Sequence, residues 1–333
     1  MDNNPLISIC IPTYNQTSCL KECLESIIPQ ARPYKIPIYV SANDPSKITL
    51  GILSTLKQSY PYFYFKSTDK KICFDNNLMN AIQMSSSRYV WTIGDRRRLF
   101  PNAIDIVCNI LNTHDLDLLV LNISDLSFTA PKKSQKYDSA KKVCRELSNN
   151  LSCLGLQILP LEAWKSMVLE KYIGDGWIHI GAALESIARQ NVNVLFISEL
   201  YLYTAISSES FVVKDYFQYW SSWKKTISFL PEFYSNADKE AAIKNTSYEF
   251  HMNDLLYLRS KQIYNTDMFN KYGNDATFYG GLSPNVIYAI SKLPVLPLKT
   301  FYKFYYVLRT ITHHFFTQQV PLNPLIPHGR NAR

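Results

Sequence analysis

Short apolar runs alternate with stretches in which apolar positions recur every three or four residues, and this alternation continues to about residue 205. Leu6–Ile11 reads as a buried strand, broken by Pro12-Thr13-Tyr14-Asn15. Thr17 or Ser18 can cap a helix carrying Leu20, Cys23, Leu24, Ile27 and Ile28 on one face. A strand over Ile36–Ser41 precedes a helix from Lys47 to Gln58; Tyr62–Lys66 is a third strand, and Ile72–Met84 a helix with Leu78, Met79 and Ile82 inward. Tyr89–Ile93 is the fourth strand, Pro101 opens a helix ending near Asn112, and Leu116–Asn122 is the fifth strand. Strands alternating with helices imply a mostly parallel, Rossmann-like sheet flanked by helices, with right-handed crossovers.

Residues 125–150 are rich in Lys, Ser and Asn and read as a loop. Order returns with a strand over Leu154–Leu159, a helix across Leu161–Glu170, a turn at Ile173–Trp177 and a helix over Trp177–Arg189. Two further strands are expected at Val192–Ile197 and Leu200–Ala205. Beyond Phe211 the pattern is helical and rich in Tyr and Trp, which places a boundary near residue 208 between a first domain, 1–208, and a helical region, 209–333.

Composition narrows this picture only where it departs from the ordinary. The chain has 333 residues, 47% of them hydrophobic, enough for a sizeable core. A net charge of +8 suits an anionic small molecule or an anionic membrane surface; no Lys/Arg run interleaved with aromatics marks a nucleic-acid groove, so no nucleic-acid partner is expected. Seven scattered cysteines without a CxxC pair favour free thiols in a reducing cytoplasm. The Met1–Pro5 segment lacks the features of a signal peptide, and no apolar run is long enough for a transmembrane helix.

The densest chemistry lies at Tyr89–Pro101, an apolar strand that stops at Gly94 and is followed by Asp95, Arg96, Arg97 and Arg98. Charges at the carboxyl end of a buried strand either face a charged ligand or form a solvated turn. In the C-terminal region no Asp or Glu follows Asp275, whereas Lys292, Lys299, Lys303, Arg309, Arg330 and Arg333 do. On a helical wheel over 298–317, Phe301, Phe304, Tyr305, Leu308, Ile311 and Phe315 share one face, with Lys299, Lys303, Arg309, Thr310 and His313 opposite. That pattern fits a helix lying in a membrane interface; a helix packed on the protein's own core has the same amphipathic pattern, but the absent acids and the aromatic richness favour an anionic membrane surface.

Five segments in order carry a resemblance: Ser8–Asn15, Leu20–Gln30, Ile38–Asn43, Phe74-Asp75-Asn76-Asn77 and Tyr89–Asp95. Together they resemble the family 2 glycosyltransferases of GT-A fold, in particular bacterial O-antigen and capsule sugar transferases with a Gly-Asp-Asp-Asp loop. The resemblance implies an inverting transfer of sugar from a nucleoside diphosphate sugar to a surface-glycan acceptor, such as a lipid-linked intermediate, on the inner face of the cytoplasmic membrane. A catalytically silent module that binds nucleotide sugar or glycan is the other reading. The resemblance puts Pro12, Thr13, Tyr14, Asn15, Asn43, Asp44, Asn77, Asp95, Arg96 and Arg97 at the donor.

Two departures matter. Ala42 stands where an acid normally contacts the base, leaving Asn43 or Asp44 to substitute. Arg96 and Arg97 occupy the positions of carboxylates that normally hold Mg²⁺ or Mn²⁺, so only Asp95 remains as a metal ligand and metal dependence is expected to be weak. A guanidinium can pair with phosphate in place of the ion. Asp175, in Gly174-Asp175-Gly176-Trp177 before a helix, is the candidate general base, or merely that helix's cap. Trp177 and His179 are candidate acceptor contacts, with core packing the alternative.

Overall fold

The computed structural model describes residues 4–123, 130–204, 216–246, 252–273 and 282–304. The chain divides into two compact units, one of residues 1–208 with 221–246 and the other of 209–220 with 247–333.

The first unit is built on a single sheet whose strands lie in the spatial order Phe63–Thr68, Ile38–Asn43, Ile7–Tyr14, Tyr89–Thr92, Gln157–Pro160, Leu118–Ile123, Gln190–Thr204, Arg97–Leu99. β1 (Ile7–Tyr14), β2 (Ile38–Asn43), β3 (Phe63–Thr68) and β4 (Tyr89–Thr92) pair in parallel. They are connected by α1 (Thr17–Ala31), α2 (Lys47–Ser59) and α3 (Phe74–Ile82). This half follows the alternation read from the sequence. Buried Ile9, Ile11, Ile38, Val40, Tyr89 and Trp91 line it, and α1 adds Leu20, Cys23, Leu24 and Ile27.

Beyond β4 the sheet becomes mixed. β5 (Arg97–Leu99) and α4 (Ala103–Thr113) lead to β6 (Leu118–Ile123). β8 (Gln157–Pro160) inserts between β4 and β6, antiparallel to both. β9 (Gln190–Thr204) runs parallel to β6 and antiparallel to β5 and β7 (Gln135–Ser139). The two strands expected at 192–205 are therefore one.

The loop expected over 125–150 is corrected where it is described. β7 and α5 (Ala140–Leu151) occupy 135–151, and Ala140, Val143, Cys144, Leu147 and Leu151 are buried. Those positions recur at helical spacing, while lysine, arginine and asparagine fill much of the rest of the helix. The helix expected over 161–170 is a single turn, α6 (Leu161–Trp164), followed by a 3₁₀ segment at Met167–Tyr172. α7 (Ile178–Ser186) is buried nearly all round. Residues 221–246, assigned by pattern to the C-terminal region, belong to the first unit. Asp238 pairs with Arg145 at 2.8 Å, and the Tyr234 hydroxyl donates to the Leu184 carbonyl at 2.6 Å.

In the second unit, Leu255, Leu258, Tyr264, Tyr272, Ile287 and Ile290 form a small core. Among the described residues, no helix is long and apolar enough to cross a membrane.

Candidate active site

β1 lies between β2 and β4, and the connections leave it in opposite directions, through α1 to β2 and through α3 from β3 to β4. In open α/β sheets such a reversal opens a crevice at the carboxyl ends of the two central strands. β1 pairs with β4 only as far as Cys10–Thr92 and runs on to Tyr14 paired with β2 on its other side, while β4 turns off at Gly94. The Thr13 hydroxyl spans the gap and donates to Asp95 Oδ2 at 2.7 Å. Burial pushes the Asp95 pKa up to about 6; the Thr13 hydroxyl, the charges of Arg96 and Arg98, and the Tyr14 N–H oppose it.

The three arginines diverge. Arg98 is buried; it pairs with Glu22 of α1 at 2.7 Å and donates to the carbonyls of Asp95 and Arg97. Arg97 sits in β5, and its guanidinium donates to the Thr204 hydroxyl and to Cys153 Sγ. Its expected place at the donor is therefore corrected: the β5–β9 pairing turns it away toward the end of β9. Arg96 is partly exposed beside Asp95, and among the described residues it makes no hydrogen bond or ion pair with another side chain. It is the arginine with a guanidinium to offer an anion.

At the β2 side, Tyr14 exposes its ring, and Lys71 Nζ lies 4.8 Å from its centroid. Asn15 and Asp44 take left-handed backbone conformations, φ 51° and 47°, which turn the chain at both strand ends. Asp44 is exposed, its N–H bonded to the Thr68 carbonyl. Pro12 is buried within β1 opposite Ser41. Two expected contacts are corrected. The Asn43 amide is taken up by the Ile72 N–H and C=O, both at 2.9 Å. Asn77 accepts from Ser41 Oγ at 2.7 Å and donates to the Thr13 carbonyl at 3.2 Å. Both amides shape the edge and are not presented to a ligand.

On the other side of α3 stands a group that the candidate residues omit. Asp75 is fully buried, and its carboxylate accepts the N–H groups of Gly174 and Gly176 at 2.8 Å and of Ile178 at 3.2 Å. Burial raises its pKa, the three N–H groups pull it back, and the Asp175 charge pushes it up again. Asp75 thereby caps α7, so Asp175 is not the helix cap. Asp175 instead pairs through Oδ1 with Lys225 at 2.9 Å, and its Oδ2 is shielded from water with no hydrogen-bond partner. Asp75 lies in the Phe74–Asn77 segment that carries the resemblance, but Glu22, Lys71 and Lys225 give no sequence signal, since their partners lie far along the chain.

Trp177 and His179 are corrected as acceptor contacts. Trp177 is buried and packs edge-on against Trp223 at 4.9 Å. His179 is buried, its Nε2 is 3.3 Å from the Ser152 carbonyl, and burial lowers its pKa to about 4. α7 is inserted in the core on all sides, so both rings pack inward.

The carboxylates present do not suit a divalent cation. Asp95 is the single acid among three arginines, and among the described residues no three His, Cys, Asp or Glu side chains come together as a metal site.

Residues 8–128 match the model of glycosyl transferase family 2. The chain is 26% identical over 110 residues to abequosyltransferase RfbV of Salmonella typhimurium, covering 32% of this chain and 33% of that protein. The aligned part thus spans about a third of the relative. The fold is similar to that of S. aureus TarS, TM-score 0.54, at 12% identity and covering 81% of this chain and 74% of the other. TarS has also been solved with UDP and with UDP-GlcNAc. A mannosyltransferase from Pyrobaculum calidifontis, solved with GDP-Man and Mn²⁺, has TM-score 0.53 at 11% identity, covering 96% of this chain and 89% of its own. The switch-point crevice and the strand-end loop at Asp95 both lie within the stretch that matches glycosyl transferase family 2, and the chain shares the GT-A fold of these solved proteins.

Proposed function

We propose that the chain is an inverting glycosyltransferase that moves one sugar from a nucleoside diphosphate sugar to a hydroxyl of a bacterial surface glycan, a lipid-linked O-antigen or capsule intermediate. The observation that carries this reading is the Thr13–Asp95 bond across the switch point with the Arg96 guanidinium beside it. The resemblance to an abequosyltransferase and to proteins solved with nucleotide sugars supports it.

The nucleotide lies over Pro12–Asn15, with the Tyr14 ring and Asp44 flanking the base and ribose. Arg96 pairs with the diphosphate and neutralises the charge that develops as the anomeric C–O bond breaks. Asp175 is the general base. Lys225 holds Oδ1, and Oδ2 takes the proton of the acceptor hydroxyl. The hydroxyl oxygen attacks the anomeric carbon from the face opposite the leaving diphosphate, which inverts the centre. A silent binding module is favoured by one feature, the ion pair that occupies Asp175.

One experiment separates the two readings. Release of nucleotide is measured for UDP-, GDP-, dTDP- and CMP-sugars, with purified chain and with Asp175→Asn. The enzyme reading expects turnover in the unaltered chain and a loss of at least ~100-fold in the variant, with donor affinity little changed. Binding without turnover supports the silent module, and near-unchanged turnover in Asp175→Asn removes Asp175 as the base.

A further inference from the structure

The first turn of α3 holds two sites at once. Asn77 ties it to the donor side, through the Thr13 carbonyl at 3.2 Å and Ser41 Oγ at 2.7 Å. Two residues earlier, Asp75 ties it to the loop carrying Asp175, through three backbone N–H groups. Both side chains are buried, so neither bracket is in contest with water. The loop needs such a mould. Gly174 and Gly176 have φ of 97° and 81°, and this backbone turns its N–H groups inward around one carboxylate. Asp175, between those glycines, pairs with Lys225, which is half exposed.

We propose that Asp75 is a positioning residue for glycosyl transfer: by gathering the Gly174, Gly176 and Ile178 N–H groups, it sets Asp175 at a fixed place relative to the donor crevice that Asn77 holds. The proposal rests on Asp175 being the general base. Asp75 is chemically suited to the task because an ionised carboxylate accepts at both oxygens. Asn at 75 would present an N–H₂ to one of the N–H groups it must bind, and the loop would shift. Displacement of a reacting group by about 1 Å can cost on the order of 100-fold in rate.

The test is a double-variant cycle on the full chain, reading nucleoside diphosphate release from whichever of a panel of UDP-, GDP- and dTDP-sugars the unaltered chain turns over. Asp75→Asn is expected to lower kcat about 10- to 100-fold while donor affinity stays within about threefold. Asp75→Asn added to Asp175→Asn is expected to cost nothing further, because the two act through one carboxylate. Should Asp75→Asn fail to fold, Gly176→Ala serves instead. The added Cβ meets no atom within 4 Å, but the backbone at φ 81° is strained, so the loop is displaced with Asp75 intact. The same loss of kcat and the same absence of further loss in the Asp175→Asn background are expected. Additive losses, or a donor affinity that falls as far as kcat, would overturn the positioning role and leave Asp175 as base. Unchanged turnover in Asp175→Asn alone would overturn the base and the positioning role together.

Discussion

Asp95 and His179 are held away from their ordinary charge states in opposite senses. Burial raises Asp95 to about 6 from 3.8, so the folded chain binds more protons there than the unfolded chain, and stability falls as pH rises from about 4 to 6. Burial lowers His179 to about 4 from 6.5, so the unfolded chain binds more protons, and stability falls as pH drops from about 6.5 to 4. Each effect is worth at most about 3 kcal/mol, and in the unaltered chain they largely offset. Thermal unfolding from pH 4 to 7 should therefore separate two variants. Asp95→Asn should become less stable relative to the unaltered chain as the pH is lowered, and His179→Gln relatively more stable. Parallel profiles for all three would show that neither group titrates as its burial requires. At this scale the sequence marks Asp95, because a strand ending in Gly and an acid is a local pattern. Asn43 and Asn77 are not readable in the same way, since their partners lie in backbone 29 and 64 residues away. Trp177 has the composition of an acceptor platform, and only the packing of Trp223 against it shows that it is core.

Among the elements, the parallel half of the sheet is legible because each strand is a short apolar run followed by a periodic helix. The mixed half is not, because β8 reaches its place between β4 and β6 through pairings distant in sequence. α5 is hidden by composition: its lysines and asparagines dominate the average while its apolar residues keep helical spacing. The helical turns at 295–304 show a similar conflict. The amphipathic helix expected over 298–317 is described only to residue 304, and its remainder lies outside the described residues. In the described part Tyr302 is buried and its hydroxyl donates to Asn253 Oδ1 at 2.7 Å, whereas Leu296, Phe301 and Phe304 are 76%, 59% and 66% exposed beside exposed Lys299 and Lys303. Exposed aromatics next to lysines suit the headgroup boundary of an anionic bilayer. Sedimentation with phosphatidylserine-containing liposomes at low salt should capture the chain, and Phe301→Ser with Phe304→Ser should release it, with Tyr302 left in place. Equal sedimentation of the variant and the unaltered chain would rule out this face as the membrane contact.

For the molecule as a whole, a net charge of +8 and a crevice that ends in Arg96 point to an anionic ligand. We propose that this crevice holds the diphosphate of a nucleotide sugar against the Arg96 guanidinium. Calorimetric titration of the chain with UDP-, GDP-, dTDP- and CMP-sugars, each with EDTA and with Mn²⁺, tests it directly, repeated on Arg96→Ala. One donor class is expected to bind with nearly the same affinity in EDTA and in Mn²⁺, and Arg96→Ala to weaken it by about 10-fold or more, the loss of a charge-assisted hydrogen bond of about 1.5–3 kcal/mol. Binding that vanishes in EDTA, returns with Mn²⁺ and is indifferent to Arg96→Ala would contradict the account.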